Sequence, residues 1–312
     1  MKIFDAHCDA LLKLLEHPDL TFTDEDDRLR ASYPELEKGN VQFQAFAMYV
    51  PERIHPHARL TTTLDMINLY YSKIQPVGYK LILSKNDLEI TVCDDKNGAI
   101  LFVEGAGAIE GQLTNLHTLH RLGVRGMTLT WNFRNEVADG CHEPNPGGLS
   151  LFGRKVIEEM NQLGMIIDVS HIAEPGFWDT LELSTKPVIA SHSNVKQLCN
   201  HVRNLSDQQI DALIQKDGVI GLSFIPYFNT SEKRTVWIDD LLRHLDYICA
   251  RGGVNHVSFG SDFDGEKLLF GDLTSPGQYT LLVDNLLKRF KQEEVEKFVR
   301  GNWLRVFTKV LQ

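Results

Sequence analysis

Five clusters of histidine and carboxylate stand out, each at the end of an apolar run. In Asp5-Ala6-His7-Cys8-Asp9, alternation along a strand puts His7 and Asp9 on one side and Cys8 on the other. An imidazole nitrogen and a carboxylate oxygen so placed can share one metal ion. In Phe102-Val103-Glu104-Gly105 an acid ends the run, and its two oxygens can bridge two cations. Asp168-Val169-Ser170-His171 and Ala190-Ser191-His192-Ser193 each bring a histidine to the end of a run, and neutral imidazole is the commonest transition-metal ligand. In Gly260-Ser261-Asp262-Phe263-Asp264-Gly265, Asp262 is the first acid past the last run, placed to hold a metal-bound water, while Asp264 is expected to order the turn. Singly, each cluster also fits a cap, a core histidine or a surface acid. Together they supply about five or six ligands, enough for two divalent ions and too many for one closed tetrahedral site.

These residues need strands that converge on one spot. β-prone runs are predicted over 3–7, 41–49, 99–104, 126–130, 165–169, 188–190, 219–223 and 257–260. Between them lie segments of helical spacing, including 60–74, 149–163, 207–216 and 237–250. About eight such units match a (β/α)8 TIM barrel, whose catalytic groups sit where strands end. With no linker or internal repeat, the expectation is one metal-dependent hydrolase domain over 1–312. The longest irregular stretches are 21–40 and 132–148. The second holds Pro144, Pro146, Gly147 and Gly148, follows the fourth predicted strand, and reads as a lid or binding loop.

A formal charge of −10 over 312 residues argues against nucleic acid and acidic membrane surfaces as partners. The five cysteines are scattered and form no CxxC pair, which suggests reduced thiols and a cytoplasmic location. The N-terminal MKIFDAHCDALL lacks the apolar core of a signal peptide, and no run approaches a membrane span.

Taken as a set, DAHCD, FVEGAGAIEG, GVRGMTLTWN, IIDVSH, ASHSN followed by HVRNLSD, GSDFDG and GNWLRVF cover nearly the whole chain. In these motifs it resembles the membrane (renal) dipeptidase family, peptidase family M19, of the amidohydrolase-like barrels. The resemblance implies two Zn2+ per chain, with His7 and Asp9 on one, His171 and His192 on the other and Glu104 bridging. It makes Asp262 the residue that moves the proton of the attacking water and Arg203 the one that grips the substrate's C-terminal carboxylate, with Asn204 as a second candidate in that pocket. It further implies a dipeptide substrate, tolerance of a D-residue at the C-terminal position, and a homodimer as the assembly to look for.

One motif departs from the family pattern. Where the best-known animal members carry a histidine thought to polarise the scissile carbonyl, this chain has Trp131 in Leu129-Thr130-Trp131-Asn132. Trp131 cannot act as that acid, which leaves packing at the barrel mouth or shaping of the substrate pocket, with Asn132 or His142 as alternative donors. The competing enzymatic reading is another amidohydrolase-type activity on the same two-metal site, such as an N-acyl amino acid deacylase or a lactonase. The reading from another class, a non-catalytic binding module, predicts lost ligands, yet every ligand position is filled.

Overall fold

The fold is described from a computed structural model of residues 1–312. Nine strands form: β1 (Ile3–Cys8), β2 (Val41–Tyr49), β3 (Tyr79–Leu81), β4 (Asn97–Glu104), β5 (Val124–Thr128), β6 (Ile166–Asp168), β7 (Val188–Ala190), β8 (Val219–Leu222) and β9 (Val257–Phe259). All except β3 follow one another in the parallel order β1-β2-β4-β5-β6-β7-β8-β9, the sheet of a (β/α)8 barrel. The predicted bounds of β2 and β7 are met, and the other six differ by a residue or two at their ends. β3 has no counterpart in the sequence reading. It pairs with the first residues of β4, on the edge that β5 takes up further along.

Strands covered on both faces read as continuous apolar runs, and β1, β5 and β6 are buried at every residue. The sheet is nearly closed. Past the end of β9, Asp262 N donates to His7 O at 3.0 Å and Asp9 N donates to Phe263 O at 2.9 Å. This seam brings Asp262 and Asp9 beside His7.

Some helices start and stop where the sequence has capping residues. Ser150 accepts from Gly153 N at the start of the helix Leu151–Leu163, and Gly164 ends it in the left-handed conformation. Ser206 and Gln209 form a capping box on Asp207–Gln215. The stretch 21–40, expected to be irregular, contains a six-residue helix, Tyr33–Lys38. Ser32 before it, Pro34 in its first turn and Gly39 after it were the available signal; six residues are too few to show periodicity.

The barrel interior is packed, not hollow. Phe4, Phe43, Ile100, Phe102, Ile166, Ile189 and Val219 form one cluster with Trp303, Val306, Phe307 and Val310 of the C-terminal helix Asn302–Val310. That helix covers the end of the barrel where the strands begin, opposite the site. A Cβ at Gly126 would lie 2.1 Å from the Phe102 ring, so only glycine at that point of β5 leaves room for the ring. Trp303 is fully buried and its indole N–H donates to Phe259 O at 2.9 Å. Trp303→Ala is expected to cost about 3–5 kcal/mol of stability, read as a lower midpoint in denaturant unfolding; an unchanged midpoint would show that this plug is dispensable.

Candidate active site

His7 is the fifth residue of β1, and Asp9 directly precedes the following helix, Ala10–Glu16, without capping it through its side chain. Glu104 ends β4, and His171 and His192 lie just past β6 and β7. All five are at most 7% exposed. The structure brings them together around Glu104, whose two oxygens face different partners. Oε1 lies 3.0 Å from His171 Nε2 and 3.6 Å from His192 Nε2, while Oε2 lies 3.7 Å from His7 Nε2. His7 Nε2 is also 3.6 Å from Asp9 Oδ2 and 3.8 Å from Asp262 Oδ1. Two groups, His7 with Glu104 and His192, and His7 with Asp9 and Asp262, hold ligand-type atoms within 4.8 Å of one another.

The donor set fits divalent cations. Both ring nitrogens of His7 and Asp9 Oδ1 are buried with no hydrogen-bond partner, a costly arrangement for polar atoms that nothing else compensates. His171 Nε2 and His192 Nε2 stand 2.8 Å apart. His171 Nδ1 bonds Asn132 Oδ1, which can only accept, so its proton sits on Nδ1 and a bare lone pair is left at Nε2. The charges give the same picture. Burial and the neighbouring Asp9 push Asp262 up to about 7, against the pull of His7 and Arg203. Burial also pushes Glu104 well above the usual carboxylate range. Burial would pull His7 down, but Glu104, Asp9 and Asp262 hold it up at about 10. His171 and His192 are driven well below the usual histidine value by burial first, then by nearby cationic groups. Without a metal, such a centre balances its buried negative charge by holding protons, a charge that a divalent cation can supply instead.

Two of these residues carry backbone strain. His171 has φ of 67° and Asp262 has φ of 65°, in the left-handed region that non-glycine residues rarely enter and that tends to cluster at functional sites. The loop 132–148 helps to hold His171 there, since Cys141 N donates to His171 O at 2.8 Å and Asn132 holds the ring.

The centre opens into a cavity of about 230 Å³. Arg203 lines it at 4% exposure, with one N–H on His192 O at 3.0 Å, its guanidinium 5.4 Å from the Phe228 ring and its Nε unpartnered. Trp131 packs on Tyr49 with ring centroids 4.8 Å apart and forms a wall beside His171. Asn132 and His142 also line the cavity, but Asn132's oxygen is engaged by His171. Asn204 lines the adjoining cavity with His171 and Arg203; its side-chain N–H groups tie down Cys199 O and Phe228 O, which braces the Arg203 loop. Asp264, expected to order its own turn, accepts instead from Arg30 N and Ala31 N and anchors the distant 21–40 segment.

Tyr49, His201, Tyr227 and Phe228 line the cavity too, and the sequence reading did not find them. His201 carried a signal, two residues before Arg203. Its Nδ1 accepts from Arg203 N at 3.2 Å and its ring packs on Phe228.

Comparison with known proteins follows the same line. The sequence model of the family described as Membrane dipeptidase (Peptidase family M19) matches residues 1–312. The chain is 32% identical over 287 residues to "Dipeptidase tcpJ" of Claviceps purpurea (strain 20.1), covering 89% of this chain and 65% of that longer relative. It superposes on dipeptidase AC, a metallo peptidase of family M19, with a TM-score of 0.93 and 27% identity, covering 100% of this chain and 99% of the other. It also superposes with a TM-score of 0.93 on a metallo peptidase from Rhodobacter sphaeroides liganded with a phosphinate mimic of the dipeptide L-Ala-D-Ala, at 26% identity and 99% coverage of both chains.

Proposed function

The chain belongs to the membrane dipeptidase family, peptidase family M19, a family of metal-dependent dipeptidases, and on that premise we propose that it is a two-zinc dipeptidase. Its substrates are dipeptides with a free C-terminal carboxylate, including L,D-dipeptides. The observation that carries the reading is Glu104, with one oxygen toward His171 and His192 and the other toward His7, in a cavity whose buried cation is Arg203.

In this reading His7 and Asp9 would hold one zinc and His171 and His192 the other, with Glu104 placed between the two sets. Bound there, the pair would supply water of pKa near about 7 and Lewis-acid polarisation of the peptide carbonyl. The chain's own residues do the rest. Asp262, 3.8 Å from His7 Nε2 and lining the cavity, takes the proton of the attacking water and delivers it to the departing amine. Arg203 has free N–H groups for a bidentate grip on the substrate carboxylate. The Tyr49 and Trp131 wall limits the space beside the reacting bond.

The test is a panel of paired L,L- and L,D-dipeptides, N-acyl amino acids and lactones assayed on the zinc-loaded protein. Hydrolysis of both dipeptide series, well above the other two classes, is expected. Preference for the lactones or N-acyl amino acids would move the chain to the competing amidohydrolase-type reading.

A further inference from the structure

Because His171 and His192 meet Nε2 to Nε2, the outer nitrogen of each ring decides what the inner one can offer. His192 Nδ1 lies 2.8 Å from Ser191 Oγ, and Ser191 Oγ lies 2.5 Å from Asp168 Oδ2. Asp168 is fully buried and accepts on every side. Its Oδ1 takes Ser170 N at 3.0 Å and Ser191 N at 2.9 Å, and its Oδ2 takes Thr128 Oγ at 2.6 Å together with the Ser191 hydroxyl. A hydroxyl has one proton. Ser191 gives it to Asp168 and meets His192 Nδ1 as an acceptor, so the imidazole proton sits on Nδ1 and the lone pair on Nε2, toward Glu104.

We propose that Asp168 and Ser191 form a buried relay that fixes the tautomer of His192 and so sets the affinity for the cation shared by His171 and His192. The proposal rests on those two histidines being metal ligands. Asp168 and Ser191 are positioning residues, since neither lines the cavity nor reaches substrate. Partners of this kind orient ligating imidazoles and raise their basicity.

A second pair in the same barrel supplies the control. Asp5 and Ser261 are equally buried and equally paired, with Ser261 Oγ 2.6 Å from Asp5 Oδ2 and Ser261 N 2.8 Å from Asp5 Oδ1. Beyond Asp5, however, the Ser261 hydroxyl meets backbone, at His7 O and Phe263 N, and no ring nitrogen. Loss of a buried serine–aspartate bond is common to Ser191→Ala and Ser261→Ala; loss of a tautomer lock belongs to Ser191→Ala alone.

Asp168→Asn gives a sharper variant of the same size. The two backbone N–H groups at Oδ1 require the carboxamide oxygen there, which turns the NH2 toward Thr128 and Ser191. Ser191 then accepts from residue 168 and donates to His192 Nδ1, which forces the proton onto Nε2.

The experiment is competition of each zinc equivalent against a chromophoric chelator, with unfolding midpoints measured in parallel, on wild type, Ser191→Ala, Asp168→Asn and Ser261→Ala. Ser191→Ala is expected to weaken one equivalent by about 10- to 100-fold and to leave the other within a few-fold. Asp168→Asn is expected to weaken the same equivalent at least as much. Ser261→Ala is expected to lower the unfolding midpoint while keeping both affinities within a few-fold. Wild-type affinities in Ser191→Ala, or equal weakening in Ser191→Ala and Ser261→Ala, would overturn the relay. If Ser191→Ala and Asp168→Asn fail to fold, nitrogen-correlated NMR of the metal-free wild type decides: a neutral His192 with its proton on Nδ1 is expected, and a proton on Nε2 overturns the relay. A wild type that binds no zinc refutes the ligand reading itself, a result distinct from any variant-specific outcome.

Discussion

Asp262→Asn is expected to lower kcat for a dipeptide by roughly 10²- to 10⁴-fold, the usual contribution of a positioned general acid–base, while the bound metal is retained. The substitution keeps size and hydrogen-bonding reach and removes only the capacity to take a proton. Asp262 suits that task because it lines the cavity 3.8 Å from His7 Nε2, where a carboxylate can take the proton of the attacking water and return it to the departing amine. The seam between β9 and β1 fixes its place through Asp262 N on His7 O, and the asparagine makes the same backbone bond. Full activity in the variant would remove Asp262 from the reaction. Loss of activity together with one metal equivalent would instead make it a ligand, in keeping with its place in the His7 and Asp9 group.

Arg203→Met should separate recognition from chemistry. Arg203 is buried, meets the protein through His192 O and the face of Phe228, and keeps free donors. Methionine preserves much of the packing stem and removes the charge. Losing one partner of a buried, hydrogen-bonded charge pair costs about 2–5 kcal/mol, so kcat/KM for a dipeptide should fall roughly 30- to 5,000-fold, mainly through KM. A dipeptide amide, with no carboxylate to grip, should be cleaved slowly by both proteins and with little difference between them. An unchanged preference for the acid over the amide would assign carboxylate reading elsewhere, with His201, beside Arg203 in the same wall, as the next residue to test.

Much of this arrangement was legible in the sequence because a barrel turns strand ends into one place. His7, Glu104, His171 and His192 could be grouped from their positions at the ends of apolar runs, with no knowledge of the turns between them. The turns were what stayed hidden. The left-handed backbone of His171 and Asp262 leaves no mark in residue type, since histidine and aspartate are ordinary in extended segments too. Asn132 was read as a candidate donor to substrate; the turn of its oxygen onto His171, which leaves the NH2 as its donor, is a choice made by the fold of the 132–148 loop. Asn204 stands beside Arg203 in sequence, yet its carboxamide serves backbone carbonyls. Tyr49 reaches the cavity from β2 and Tyr227 with Phe228 from the short helix Pro226–Asn229, and their types alone are those of core aromatics. Asp168 and Ser191 were visible only as the neighbours of His171 and His192; their pairing across β6 and β7 needed the register.

The most direct test of the two-metal account is calorimetric titration of zinc into metal-stripped protein, with bound metal counted after desalting. Two equivalents per chain are predicted for the wild type, with dipeptide hydrolysis returning as they bind. A single equivalent at saturation, or full activity in the stripped protein, would contradict it.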